Sequence, residues 1–377
     1  MADRAQRSRP TMRDVAREAG VSQSLVSIVF RGAQGASDTT RERVLEAADR
    51  LGYVRNESAR ALRSTATNTI GISFHTRQPF HHELLDGLYA ATEGTRYRLL
   101  LSATSRSRSE MEAVQTLLSY RSDALILLGS RLDKDELARL ARSMPVVVIA
   151  HRSTAPGVDW VVSDDEAGMS LAVNHLKDLG HERICYLSCT EAAGGNERLV
   201  AFEHAVEAAG LGKSAFVNLK GGKDEASGAA VARSLLESGD LPTGIIAFND
   251  RCALGLIDTM IRHGISIPSD ISVIGFDDSE IASRPDINLT SVHQSPAELA
   301  RFAAERAIHR LDASSFPSLA RGTVLPTSLT VRSSTGPVPE RQAHPCRVTA
   351  DISPEIPRVP SETPAITAVS HTTYSAL

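Results

Sequence analysis

Covalent catalysis needs particular side chains at particular spacings, and those sets are missing here. The sequence holds no GxSxG, no HExxH and no GxxxxGKS/T pattern, so the usual nucleophile elbow, zinc-protease helix and phosphate loop are all absent. Cys185 and Cys189 stand in the apolar run ICYLSC. They read as buried thiols, because no second ligand pair follows at zinc-finger spacing. Enzymatic activity, a bound metal and a cofactor are therefore not expected. What remains is hydrogen-bonding chemistry in the stretch RDVAREAGVSQSLVSIVFRG, where Gln23, Ser24, Ser27 and Ile28 would share the outward face of a short helix.

The elements that position this face can be read residue by residue. Thr11 followed by Asp14 predicts a capping box opening a first helix, with Val15, Ala16 and Ala19 as its buried stripe. Gly20 ends that helix. Ser22 caps a second one whose inner residues are Val26 and Val29, and the small Ala16 with the permissive Gly20 allows a steep helix-turn-helix crossing. A third helix, Thr39 to Leu51, turns Val44, Leu45, Ala48 and Leu51 toward the pair, and Gly52 closes it. In such a motif the first residues of the second helix reach base edges in the major groove.

Charge supports the same reading. Residues 1–64 hold twelve Arg against eight Asp and Glu, whereas the rest of the chain carries a net charge of −8. A basic head on an acidic body fits a polyanion-binding module joined to something that binds no polyanion. Non-specific DNA packaging would need a basic surface throughout. No apolar run is long enough to span a membrane, and the Arg-rich start lacks an apolar signal region, so a cytoplasmic protein is expected.

Beyond the head, TIGISF, YRLLLSA, ALILLG, PVVVIA, RICYLSC, TGIIAFN and ISVIGFD read as buried strands. Amphipathic stretches lie between them, and Gly180, Gly210 and Gly264 stop three of these. Strands alternating with helices in this way predict parallel sheets covered on both faces. There are too many such units for one sheet, which gives an α/β core of two doubly wound parallel-sheet lobes behind an all-α head. The Pro-rich end has no apolar period and is expected to be a disordered tail.

Taken together, PTMRDVAREAGVSQSLVS, TTRERVLEAADRLGYVRNESARALRS and TIGI resemble the lac-repressor family of bacterial transcription regulators, over about Thr11 to Ser333. The resemblance implies a flexible segment 1–10, a DNA-binding domain 11–55, a hinge helix and linker 56–68, a core 69–333 and a tail 334–377. The core would be periplasmic-binding-protein-like, with lobe one at about 69–162 and 293–320 and lobe two at about 163–292 and 321–333. The chain would cross between lobes near Val162, Val292 and Arg321.

The resemblance also implies roles. Gln23 and Ser24 would read bases, with Ser27 beside them; Gln pairs bidentately with adenine. Ile28 stands where the family commonly has Arg, and offers only apolar contact. Thr11, Ser22, Ser37 and Asn56 would meet phosphates. Leu62 would wedge into the minor groove at the centre of a pseudo-palindromic operator, which requires a homodimer. The leucine-heptad helix that makes tetramers is missing.

A small effector, sugar-like by family analogy, would lie between the lobes against Arg198, Asn249, Asp277 and Phe80. His151 and Lys223 replace a common Asp and a common aromatic, making the expected pocket more cationic and suiting an acidic or phosphorylated ligand. The implied function is a transcriptional regulator, with repression the expected sense, whose operator affinity the effector controls. The competing class is a solute-binding protein on the same lobes; the head and the lack of an export signal argue against it.

Overall fold

The computed structural model describes residues 10–30, 32–53, 66–212, 216–313 and 321–338. Residues 1–9, the hinge positions Asn56 and Leu62, and the tail beyond residue 338 lie outside them.

The head is three helices, α1 (Met12–Glu18), α2 (Gln23–Phe30) and α3 (Asp38–Leu51). Thr11 and Asp14 form a reciprocal capping box, and Gly20 and Gly52 take the left-handed conformation that ends α1 and α3. Val15, Val26 and Val44 are fully buried at the centre, each contributing about 1.5–3 kcal/mol of hydrophobic stabilisation. One expected core residue is not there. Leu45 is 49% exposed, because the buried stripe of α3 runs Val44, Ala47, Ala48, Leu51 at helical spacing and places Leu45 beside it. Two arginines of α3 tie the head together: Arg43 donates to Ala19 O at 2.6 Å, and Arg41 to Val29 O and Ala33 O. Cations there complement the negative ends of α1 and α2.

The core begins with β1 (Thr69–His75), α4 (Pro79–Thr92), β2 (Arg98–Thr104), α5 (Glu110–Ser119), β3 (Ala124–Leu128), α6 (Lys134–Ala141), β4 (Val146–Ile149) and β5 (Val158–Ser163). The chain then crosses to α7 (Asp165–Asp178), β6 (Ile184–Ser188), α8 (Gly195–Ala208), β7 (Phe216–Lys220), α9 (Glu225–Ser238), β8 (Gly244–Ala247), α10 (Asp250–Arg262), β9 (Ser272–Asp277) and β10 (Thr290–His293). It returns for α11 (Pro296–Asp312) and β11 (Gly322–Leu325), and ends in β12 (Ser328–Thr330).

Two six-stranded sheets result, ordered β11-β5-β4-β3-β1-β2 and β12-β10-β9-β8-β6-β7. All described pairings are parallel except β12 against β10. Strands β3, β4, β6 and β8 are buried along their whole length, as helices on both faces require. Each lobe also has a helix pair in close contact through glycine. A Cβ on Gly255 of α10 would sit 1.9 Å from Glu225 O of α9, and one on Gly87 of α4 would sit 2.7 Å from the Ala300 Cβ of α11.

Two boundaries differ from the sequence reading. The third crossing comes after Leu325, not at Arg321, because β11 pairs with β5 in the first sheet. The folded chain also runs past residue 333. Ser334 accepts from Thr290 N at 2.8 Å and donates to Val273 O at 2.6 Å, and Val338 N donates to Leu179 O at 3.0 Å.

Candidate functional site

The outward face of α2 is built as its residues predict at its start, and less so further along. Gln23 and Ser24 are exposed, whereas Ser27 and Ile28 are half-buried, with Ile28 turned toward Gly35. Ser22 caps α2 by accepting from Leu25 N at 3.2 Å and shares a 2.9 Å hydrogen bond with Ser24. Ser37 caps α3, accepting from Thr40 N. Thr11, Ser22 and Ser37 are all exposed, so each hydroxyl serves its helix start and still faces solvent. Asn56 and Leu62 lie outside the described residues.

The second site is a cleft of about 380 Å³ between the lobes. The carboxyl ends of β1, β3, β8 and β9 open into it, where doubly wound sheets place ligands. It brings together Phe80, Arg198, Lys223, Asn249 and Asp277. His151 is not among them. Ala150, at the end of β4, has φ +75° and turns the chain away. His151 lines a separate pocket of about 330 Å³ beside Glu166 and Glu197. Its Nδ1 is buried without a partner there, and burial lowers its pKa.

Each cleft residue has a structural task as well. Arg198, 7% exposed, donates from Nε to Asp165 at 3.0 Å and from Nη1 to Phe248 O at 2.8 Å, and stacks 3.6 Å over the Phe276 ring. Burial opposes its charge, and Asp165, Tyr186 and Asp277 together outweigh that. The fork expected to grip a ligand is thus half used by the protein. Nη2 has no protein partner among the described residues. Asn249 caps α10 by accepting from Cys252 N at 3.0 Å, and its amide donates to Lys223 O at 3.2 Å. Asp250, the first residue of α10, accepts from Ser279 N, Ser279 Oγ and Ser291 Oγ. Burial pushes its pKa up to about 7. Asp277 accepts from Gln294 Nε2 at 2.5 Å, and burial beside Asp250 holds its carboxyl well above the usual range. Phe80 is 6% exposed and packs mainly in the lobe-one core.

Several cleft residues escaped the sequence reading, notably His75, His81, Arg108, Arg131 and Gln294. His81 follows Phe80 directly, and Gln294 follows the last residue of β10; position next to a strand end or helix start was the available signal. Among the described residues no group of His, Cys, Asp and Glu could hold a metal, and no helix is long and apolar enough to cross a membrane. Among the described residues, contacts bridge the lobes beside the cleft: Arg251, paired with Glu225, donates to Arg77 O, and Glu280 N donates to Glu83 at 3.3 Å.

Residues 11–56 match the family described as bacterial regulatory proteins, lacI family, and residues 173–335 match a periplasmic binding protein-like domain. The HTH-type transcriptional repressor PurR of Photobacterium profundum is 32% identical over 306 residues, covering 80% of this chain and 92% of that one. The chain belongs to the lacI family. This lacI-family chain is accordingly a DNA-binding transcriptional regulator and not an enzyme. Solved structures agree. A LacI transcriptional regulator from a Rhodococcus species is 40% identical with a TM-score of 0.68, covering 72% of this chain and 99% of that one. The lac repressor dimer bound to operator and the anti-inducer ONPF is 25% identical with a TM-score of 0.75, covering 87% and 100%.

Proposed function

We propose that this regulator is a cytoplasmic homodimer that represses from a pseudo-palindromic operator and that a sugar-like molecule in the interlobe cleft sets its affinity. The observation that carries the reading is a pairing of two sites on one chain. An exposed Gln23–Ser24 pair stands at the start of a recognition helix, and a polar cleft lies at the carboxyl ends of two sheets.

At the DNA end, Gln23 and Ser24 meet base edges, with Ser27 and Ile28 at the periphery of that contact, and Thr11, Ser22, Ser37 and Asn56 meet phosphates. Gln suits adenine, and an Ile suits a thymine methyl. Leu62, paired across the dyad with its copy in the partner, wedges the minor groove. The structure of a relative carrying a dimer, an operator and a small ligand together supports this arrangement.

At the effector end, Asn249, Asp277 and the free Nη2 of Arg198 offer donors and acceptors to hydroxyls, each of which both donates and accepts. Ligand contact with both lobes changes the angle between them, and the hinge segments of the two subunits are thereby brought together or apart. The reach of Arg251 to Arg77 O across the cleft is one contact that such a change makes or breaks.

Selection of random duplexes by the purified protein, repeated with Leu62→Ala, tests the DNA half. A palindrome recovered by the native chain and weakened by the substitution is the expected outcome. A consensus of a single half-site, indifferent to Leu62→Ala, would refute the dimer and the wedge together.

A further inference from the structure

Resting on that reading of the cleft, we infer that the effector carries an oxyanion, a carboxylate or a phosphate, and that Lys223 of lobe two and His81 of lobe one receive it. Lys223 sits in the loop between β7 and α9, lines the cleft, and makes no side-chain ion pair or hydrogen bond among the described residues. His81 lies opposite, at the start of α4.

The His81 ring is oriented by the backbone. Its Nδ1 accepts from His75 N at 3.0 Å, so a neutral ring must carry its proton on Nε2. The ring is neutral at any ordinary pH, because burial and then the charges of His75 and Lys223 push its pKa down to about 3. Nε2 finds no partner among the described residues. Gly129 keeps that atom accessible, since a Cβ there would stand 3.2 Å from Nε2. A fixed N–H donor and an unpaired ammonium therefore converge on one space from the two lobes.

The two carboxylates that share the cleft are weak counter-ions to this space: Glu110 accepts from Arg131 N at 2.8 Å and Asp277 from Gln294, and burial raises the pKa of both. Arg108 adds a further positive charge: it is held by neutral acceptors only, Ala103 O, Ser102 Oγ and Thr116 Oγ1. A buried or half-buried cation without a counter-ion favours a ligand that brings one. Because Lys223 and His81 belong to different lobes, an oxyanion between them also links the lobes, which a neutral hydroxyl would do more weakly.

The test uses the full chain with glucose, gluconate, glucose 6-phosphate and inorganic phosphate, read by calorimetry and by thermal melting. It is repeated with Lys223→Gln, Lys223→Glu and Ser105→Trp, the last placing an indole in the cleft. The expected result is that at least one anionic probe raises the melting temperature. That probe should bind at least about tenfold more tightly than its neutral counterpart. Lys223→Gln should remove that margin and Lys223→Glu reverse it; the carboxylate and phosphate arms tell which oxyanion fits.

The inference is overturned if glucose binds as tightly as the anions, if the anion margin survives Lys223→Glu, or if no anionic probe shifts the melt. Failure of the cleft reading looks different: binding of any probe, charged or neutral, would then survive Ser105→Trp.

Discussion

The two lobes share a strand order and a glycine-mediated helix pair, yet they place their buried charge at opposite ends. In lobe one the buried ion pair is Arg310 with Asp159 at 3.1 Å, at the start of β5 and away from the cleft. Lobe two has buried pairs toward the other end, among them Arg198 with Asp165, whose guanidinium lines the cleft itself. A sheet of this kind therefore folds with no ion pair at its ligand end. On the proposed reading of the cleft, the pair in lobe two serves the site through Arg198, and its lobe bears the cost of desolvating it.

That comparison can be broken most directly at the pairs. Arg198→Met leaves Asp165 buried without its partner and should cost about 3–5 kcal/mol in urea unfolding; Arg310→Met should cost a similar amount. Pairing each with an apolar replacement of the carboxylate, Asp165→Leu or Asp159→Leu, should recover most of the loss. Only the lobe-two double variant should lose effector binding. If the lobe-one double variant lost it as well, the division of roles between the lobes would be wrong.

A second contrast lies in the helix pairs. Gly255→Ala drives a methyl to 1.9 Å from a backbone oxygen, Glu225 O, and should cost about 3 kcal/mol, whereas Gly87→Ala meets the fixed Ala300 methyl at 2.7 Å, relieved only by a smaller shift of α11, and should cost about 2 kcal/mol. Thermal melts of the two variants check the order.

The third contrast is in pH. Asp250 has a folded pKa near 7 against about 3.8 unfolded, so the native state holds the extra proton between those values. Its contribution is complete below about pH 4 and is lost as pH rises toward 7, at up to about 1.4 kcal/mol per pH unit. Asp250→Asn should flatten that decline, with Asp277 retaining part of it. His81 acts in the opposite sense: its stabilisation is present above pH 6.5 and is lost as pH falls toward about 3. The smallest effect expected is in the head. Ser37→Ala removes a cap worth about 1 kcal/mol and should raise amide exchange at Thr40 while leaving both lobes unchanged.

The sequence revealed the fold wherever burial made a strand continuously apolar. All seven predicted runs are strands, β1 to β4, β6, β8 and β9. The strands it did not reveal, β5, β7, β10, β11 and β12, stand at crossings and sheet edges. β10 is buried but reads TSVH, because the Thr290 hydroxyl donates to Arg332 O and the Ser291 hydroxyl to Asp250, so neither polar side chain is left unsatisfied. The head was legible almost to the residue, since capping and helical spacing are local; Leu45 was misplaced by one position on its helix.

The cleft was legible at the strand ends from local pattern, and at Phe80, Arg198 and Lys223 only through the family resemblance. Asn249 and Asp277 follow from where a strand stops. His151 also ends a strand, but the positive φ of Ala150 turns it into another pocket, and no local pattern announces that. His81 gains its role from a hydrogen bond to the backbone of His75 that only the folded turn creates.

The three crossings between lobes have a consequence for synthesis. Lobe one cannot close until α11 and β11 are made, residues 296–325, nearly at the end of the described chain. The head is complete by residue 53. During translation the part that grips DNA is therefore finished long before the part that governs it, and for most of its time on the ribosome each nascent chain is a DNA-binding domain without a control element.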